Sequence, residues 1–236
     1  MERLGRLLFR YRSFTPVPAL ALAALLVFRS RGPASFGWVV TGFALCLAGQ
    51  ALRAWVLGLV PDGTSGQNEK LIAVSLNTSG PYELTRNPLY LGNLGIVVGL
   101  CLIAHDLWLL LLAVALFALQ YWFIIAAEEE FLLSRFGAEY EAYKARVPRF
   151  WPQVRAVQRR PWNWPRIVRK EHNPCAAWLA LSVVLLWLDH REDARPYALS
   201  LAVIAALWLS AKAWKHHWLS GGFVSDVRRR LRETRR

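Results

Sequence analysis

Cysteine is scarce in this chain: Cys46, Cys101 and Cys175 are the only three among 236 residues. They lie in apolar stretches at no metal-ligand spacing, so they read as buried, inert thiols and no metal site is expected. The histidines form no useful pair, and the adjacent His216 and His217 point to different helix faces. Acidic residues are outnumbered, 16 against 29 Lys and Arg, for a net charge of +13. Internal repeats and low-complexity linkers are missing. A basic face on a soluble folded module is missing too, which removes nucleic acid as a partner. The apolar residues make up 55% of the chain and show no overall helical or strand period.

Those apolar residues come in blocks, the mark of a membrane protein. Six are visible, roughly Thr15–Phe28, Trp38–Val60, Leu89–Ala104, Leu107–Ala127, Cys175–Leu188 and Tyr197–Trp214. Several fall short of the ~20 residues of a simple span and must tilt, borrow flanks or enter without crossing. The expected fold is an all-α, polytopic membrane bundle of about 5–6 transmembrane helices. If every block crosses, 24 of the 29 Lys and Arg fall on one side. The positive-inside rule then puts both termini and the two long loops in the cytoplasm. The first block, with its basic flank, reads as a retained signal anchor. Attraction to anionic headgroups is a further use of the basic balance. Arginine outnumbers lysine 24 to 5, which points to a GC-rich bacterial genome and hence a bacterial inner membrane.

Between the second and third blocks runs GPYELTRNPLYLGN, Gly80 to Asn93. Pro88 suits the first turn of a helix, where its missing N–H is not needed. Arg86 then sits just outside a helix N-terminus with unpaired amides, a combination that suits a carboxylate or phosphate. The plain alternative is an arginine marking the cytoplasmic border. Gly92, Gly95 and Gly99 share a helix face, for close helix packing or for room beside a ligand. Arg53, inside the second block, needs a buried partner or must snorkel to the surface.

The fourth block runs without a break into Glu128, Glu129 and Glu130. Carboxylates at such depth are functional candidates, unless the helix has already reached water. Leu132, Phe136, Tyr140, Tyr143 and Val147 then mark one face of a helix that Gly137 kinks and Pro148 ends. Pro161, Trp162, Trp164 and Pro165 suggest a chain lying along the interface. The last two blocks have almost no ionisable interior residue and read as structural.

Together, GPYELTRNPLYLG, an apolar hairpin and EEEFLLSRFGAEYEAYKARVPRFWP resemble the isoprenylcysteine carboxyl methyltransferase family, which groups with phospholipid methyltransferases. The likeness runs from about Arg53 to Pro152. It divides the chain into N-terminal membrane segments (1–52), a methyltransferase core (53–152) and an interfacial segment with two further helices and a basic tail (153–236). Asn87 stands where the family often has histidine, and hydrogen-bonds without carrying charge. Ile124 stands where enzymes for prenylated proteins carry arginine, which argues against that substrate.

The resemblance implies a cytoplasmic pocket for S-adenosylmethionine and a lipid-like methyl acceptor drawn from the bilayer. It implies Arg86 and Glu128 as catalytic residues. It implies cofactor binding by Tyr82, Arg86, Asn87, Pro88, Tyr90, Gly92, Glu128, Glu129 and Tyr140. Arg86 suits the cofactor's carboxylate and the glutamates its ammonium or ribose. Tyr82, Tyr90 and Tyr121 suit the sulfonium by cation–π contact. Pro148 to Trp151 is placed to close over the adenine. A lipid headgroup, an isoprenoid acid or a small thiol are the acceptors to consider. Two rivals remain: a sterol-reductase-like enzyme using a nicotinamide dinucleotide, and a membrane scaffold without catalysis.

Overall fold

The computed structural model describes residues 35–60, 75–158, 161–190 and 193–233, with Leu8 and Leu25 besides; side-chain surroundings are described as far as His216. The first apolar block and the loop at 61–74 lie outside the described residues. Among the described residues there are six α-helices, one 3-10 turn and no strand: α1 Phe36–Leu59, the turn Gly80–Glu83, α2 Pro88–Ile103, α3 Leu107–Phe136, α4 Ala138–Arg146, α5 Trp164–His190 and α6 Arg195–Glu233. The all-α expectation holds. Among the described residues, three segments are long and apolar enough to cross a membrane: Phe36–Leu59, Leu107–Phe136 and Arg195–His216. The chain is therefore an integral membrane protein. Of the other described helices, α2 has only 16 residues and α5 is charged in its first turns, and the first apolar block lies outside the described residues.

Helices α1 and α2 touch backbone to backbone. A Cβ on Gly99 would stand 2.5 Å from the Gly42 carbonyl oxygen, and one on Gly49 would stand 2.5 Å from that of Gly92. Small residues permit this approach, and dispersion contacts then hold the pair where lipid offers no hydrophobic drive. Above the glycines an apolar cluster joins Cys46, Leu100, Ile103, Leu109, Trp178 and Leu185 from four helices.

The α2–α3 hairpin turns at His105, whose φ of 43° is left-handed. Asp106 accepts a hydrogen bond from the Leu109 amide at 2.7 Å and caps α3. His105 Nε2 lies 2.9 Å from Asp189 Oδ1, tying the hairpin to the far end of α5. With 30 residues α3 is ~45 Å long, more than a ~30 Å hydrocarbon core, so its last turns stand clear of the apolar layer. It ends at Gly137, whose φ of 49° breaks the ladder before α4. Tyr140, Tyr143 and Val147 pack with Leu76, Leu132 and Phe136, the face the spacing foretold.

The stretch read as interfacial becomes helical at Trp164, eleven residues before the predicted block begins. Asn163 accepts from the Arg166 amide at 2.9 Å, an N-cap, and Pro165 sits in the first turn, where a proline is tolerated. Pro174 is taken inside the helix. The Asn163 amide also bonds to Gly58 O at 2.9 Å, fixing the start of α5 on the end of α1. Helix α6 runs along α5, with Leu199, Val203 and Leu207 facing outward.

Candidate active site

The quoted stretch folds into a turn held from three sides. Gly80 adopts a φ of 67°, and its amide donates to Glu83 Oε1 at 2.9 Å. Tyr143 donates its hydroxyl proton to the Tyr82 carbonyl at 2.9 Å, which docks α4 on the turn. The segment after α4 then lies back along residues 84–87. Arg86 N donates to Pro148 O at 2.9 Å, and Gln153 N donates to Leu84 O at 3.0 Å. The Arg149 carbonyl accepts from Thr85 Oγ1 at 3.1 Å and from Asn87 Nδ2 at 3.0 Å. Residues 148–153 thus form a strap laced onto the motif.

Inside this frame the Arg86 side chain is nine-tenths buried. Its Nη1 lies 3.3 Å from Glu129 Oε1, yet neither Nη1 nor Nε makes a hydrogen bond of good geometry. A buried guanidinium with two unmet donors is expensive, and groups left so mark a place where a ligand completes the set. Arg86 also hydrogen-bonds Tyr140, which is 2% exposed. Burial above all, with the negative charge of Glu129, pushes the Tyr140 hydroxyl up to about 12, against the opposing pull of Arg86 and Arg149. Burial likewise raises Tyr82 and Tyr143, so both stay neutral donors.

Glu129 is shared. Arg149 grips it with Nε at 3.1 Å and with Nη2 in a short ion pair, while Arg86 approaches from the other side. The hydrogen bond to Glu129 raises the Arg149 pKa, so its charge is fixed. Arg149 also lies over the Trp122 ring, 5.4 Å from its centroid. Glu128, one residue earlier, turns to a different neighbour and accepts from Tyr90 Oη at 2.7 Å. Tyr90 leans on Tyr121 with ring centroids 4.5 Å apart, and Tyr121 stacks on Phe117 at 4.1 Å.

The structure therefore joins Arg86, Glu129 and Tyr140 in one group, and Tyr90, Glu128 and Tyr121 in another. Asn87 spends its amide on the strap, and Pro88 opens α2. Gly92 faces α1: a Cβ there would stand 2.7 Å from Arg53 Cγ, so packing fills that side of it. Glu130 is exposed. Ile124 is fully buried where an arginine was missing.

Two participants were not anticipated. Arg149 was one basic residue in a basic loop, and its pairing 20 residues back across a helix break left no local signal. Glu171 is the partner of Arg53, with Oε1 2.6 Å from Nη2 and Oε2 2.8 Å from Nε. An arginine mid-helix asked for such a partner, and a carboxylate just ahead of an apolar block was the available signal.

The fold and the site define a helical membrane protein whose core is built around a buried arginine and a glutamate pair. Residues 38–139 match the profile of the family described as phospholipid methyltransferase, and the resemblance read from the motifs holds over that stretch. The chain is 37% identical over 123 residues to the cobalt-zinc-cadmium resistance protein CzcN of Cupriavidus metallidurans, covering 51% of this chain and 56% of the relative. It is also 37% identical over 82 residues to the nickel-cobalt-cadmium resistance protein NccN of Alcaligenes xylosoxydans xylosoxydans, covering 35% and 38%. The match thus spans little more than half of one curated relative and less than half of the other. No solved structure matches.

Proposed function

We propose that this chain is an S-adenosylmethionine-dependent methyltransferase that acts at the cytoplasmic membrane face on a lipid-like or small hydrophobic acceptor. The observation that carries this reading is the Arg86 guanidinium, nine-tenths buried with two unmet donors, beside Glu129. The residues present fit the cofactor. Arg86 would take its carboxylate, and the glutamates its ammonium or ribose hydroxyls. Tyr90 and Tyr121, packed together beside Glu128, would offer aromatic faces to the sulfonium cation.

When bound, S-adenosylmethionine supplies an electrophilic methyl group. The chain's own part is to hold, orient and dry the site. Orientation of two reactants is worth roughly 7–11 kcal/mol, and an acceptor already anionic needs no base. For a neutral amine or thiol, Glu128 takes the proton, with Tyr90 steadying the carboxylate by its 2.7 Å hydrogen bond. The strap, fixed at Arg86, Thr85 and Asn87, would cover a bound cofactor and keep water from it. A nicotinamide dinucleotide with a 2′-phosphate fits less well, because a dianion calls for more than one arginine and the neighbouring Arg149 is spent on Glu129. The relatives' names describe metal resistance; methyl transfer by this chain does not require it to hold a metal.

The test is transfer of radiolabelled methyl from S-adenosylmethionine into bacterial lipid extracts, isoprenoid acids and small thiols. Wild-type protein labels one class. Arg86→Ala and Glu128→Gln lower that label by about 100-fold or more. Equal labelling by Arg86→Ala would remove the arginine from the reading.

A further inference from the structure

A chain of polar side chains crosses the bundle beneath the site, and its part from Glu171 through Arg53 to Asn93 is used by nothing described so far. It starts on α5. The Glu171 carboxylate, in a residue 3% exposed, accepts from Arg53 Nε at 2.8 Å, from Arg53 Nη2 at 2.6 Å and from Gln50 Nε2 at 2.7 Å. Gln50 in turn accepts from Trp178 Nε1 at 3.0 Å. The remaining terminal nitrogen of Arg53, Nη1, makes a short hydrogen bond to Asn93 Oδ1 on α2. Asn93 Nδ2 donates to Tyr121 Oη on α3 at 2.9 Å. Tyr121 carries the Tyr90 ring at 4.5 Å, and Tyr90 donates to Glu128 at 2.7 Å. Four helices are joined from a buried ion pair to the glutamate pair.

Stability is a poor reason for this network. Glycine contacts already lock α1 to α2, and the apolar cluster at the other end joins α5 to both. A buried ion pair is costly to desolvate, and well-packed apolar replacements are often neutral or stabilising. Such a pair in a membrane bundle is a functional candidate with its partner named. What the pair supplies that apolar residues cannot is direction. Arg53 is held at both ends, so Asn93 presents its amide to Tyr121 in one orientation.

We propose that Glu171 is a positioning residue: through Arg53 and Asn93 it fixes the Tyr121 ring, and with it the Tyr90 hydroxyl that orients Glu128. This rests on the methyltransferase reading for its purpose but not for its geometry. It gives α5, outside the matched residues 38–139, a part in building the site.

The test uses the full chain in detergent with its tyrosines replaced by 3-fluorotyrosine, each resonance assigned by a Tyr→Phe variant. Arg53→Met/Glu171→Met removes both charges together. The expected result is a thermal melt like wild type, moved fluorine resonances for Tyr121 and Tyr90, and an unmoved one for Tyr197 on α6. The dissociation constant for S-adenosylmethionine rises about tenfold or more. If the double variant does not fold, Asn93→Leu cuts the link while leaving the ion pair, and the same resonances and affinity are read. Unmoved Tyr121 and Tyr90 resonances overturn the proposal. So does an unchanged affinity in protein whose resonances have moved. Wild type that binds no S-adenosylmethionine, with resonances that still move, supports the positioning and brings down the methyl-donor reading instead.

Discussion

Arg86 is held in place by its backbone amide, fixed to Pro148, and by Tyr140, while two of its side-chain donors stay unmet. Tyr140 carries a prediction of its own. Its hydroxyl ionises at about 12 in the fold against 10.0 for a free tyrosine. A raised folded value means stability is intact below pH 10.0 and is lost as pH climbs through about 12. Phenolate absorbance followed with pH should show late-titrating tyrosines, because Tyr82 and Tyr143 are raised as well, and Tyr140→Phe should remove one step at about 12 from that late group. Titration of every accessible tyrosine near its free value, with no late step removed by that change, would contradict the burial described. The pairing of Glu129 by Arg149 is the residue-scale contact the sequence hid. Thr85 and Asn87 reach the strap across 64 and 62 positions, and no periodic pattern encodes contacts at that range.

Elements show more clearly what a sequence carries. The start of α2 at Pro88, the break at Gly137 and the α4 face of Tyr140 and Tyr143 were all legible, because helix period and proline or glycine chemistry are local. The start of α5 was not. Pro161, Trp162, Trp164 and Pro165 read as a chain along the interface, and only the docking of Asn163 on Gly58 shows that a helix begins at Trp164. The glycines give a matched pair of predictions. Gly99→Ala would set a Cβ 2.5 Å from both Cys46 Sγ and the Gly42 carbonyl, so it should destabilise by ~1–3 kcal/mol. Gly37→Ala meets nothing nearer than Ser35 Oγ at 4.0 Å and should be neutral or stabilise by ~0.5–1 kcal/mol. Thermal unfolding in one detergent measures both, and equal effects would show that the α1–α2 contact is not close. Freeing the strap is the third case. Thr85→Val with Asn87→Leu leaves the Arg149 carbonyl without its side-chain donors, and limited proteolysis should then cut at 148–153 faster than in wild type.

For the whole molecule, α3 sets the polarity. Its first turn meets the hairpin at His105, and its last turns carry Glu128 and Glu129, so hairpin and site lie at opposite ends of one helix. The charge pattern predicts that the site end faces the cytoplasm. In a cysteine-free background, Glu139→Cys should react with a membrane-impermeant maleimide in inside-out vesicles only, and Trp108→Cys in right-side-out vesicles only. The reverse pattern would invert the topology. The membrane class and the motif residues were readable from blocks and spacing, while the way α5 completes the bundle through Glu171 and Arg53 was set by packing 118 residues apart.

The most direct measurement is a calorimetric titration of the purified, folded protein with S-adenosylmethionine, beside Arg86→Ala. The account predicts saturable binding to wild type and loss of it in the variant, with both proteins melting cooperatively. No heat of binding to folded wild type, or binding that Arg86→Ala leaves intact, would contradict it.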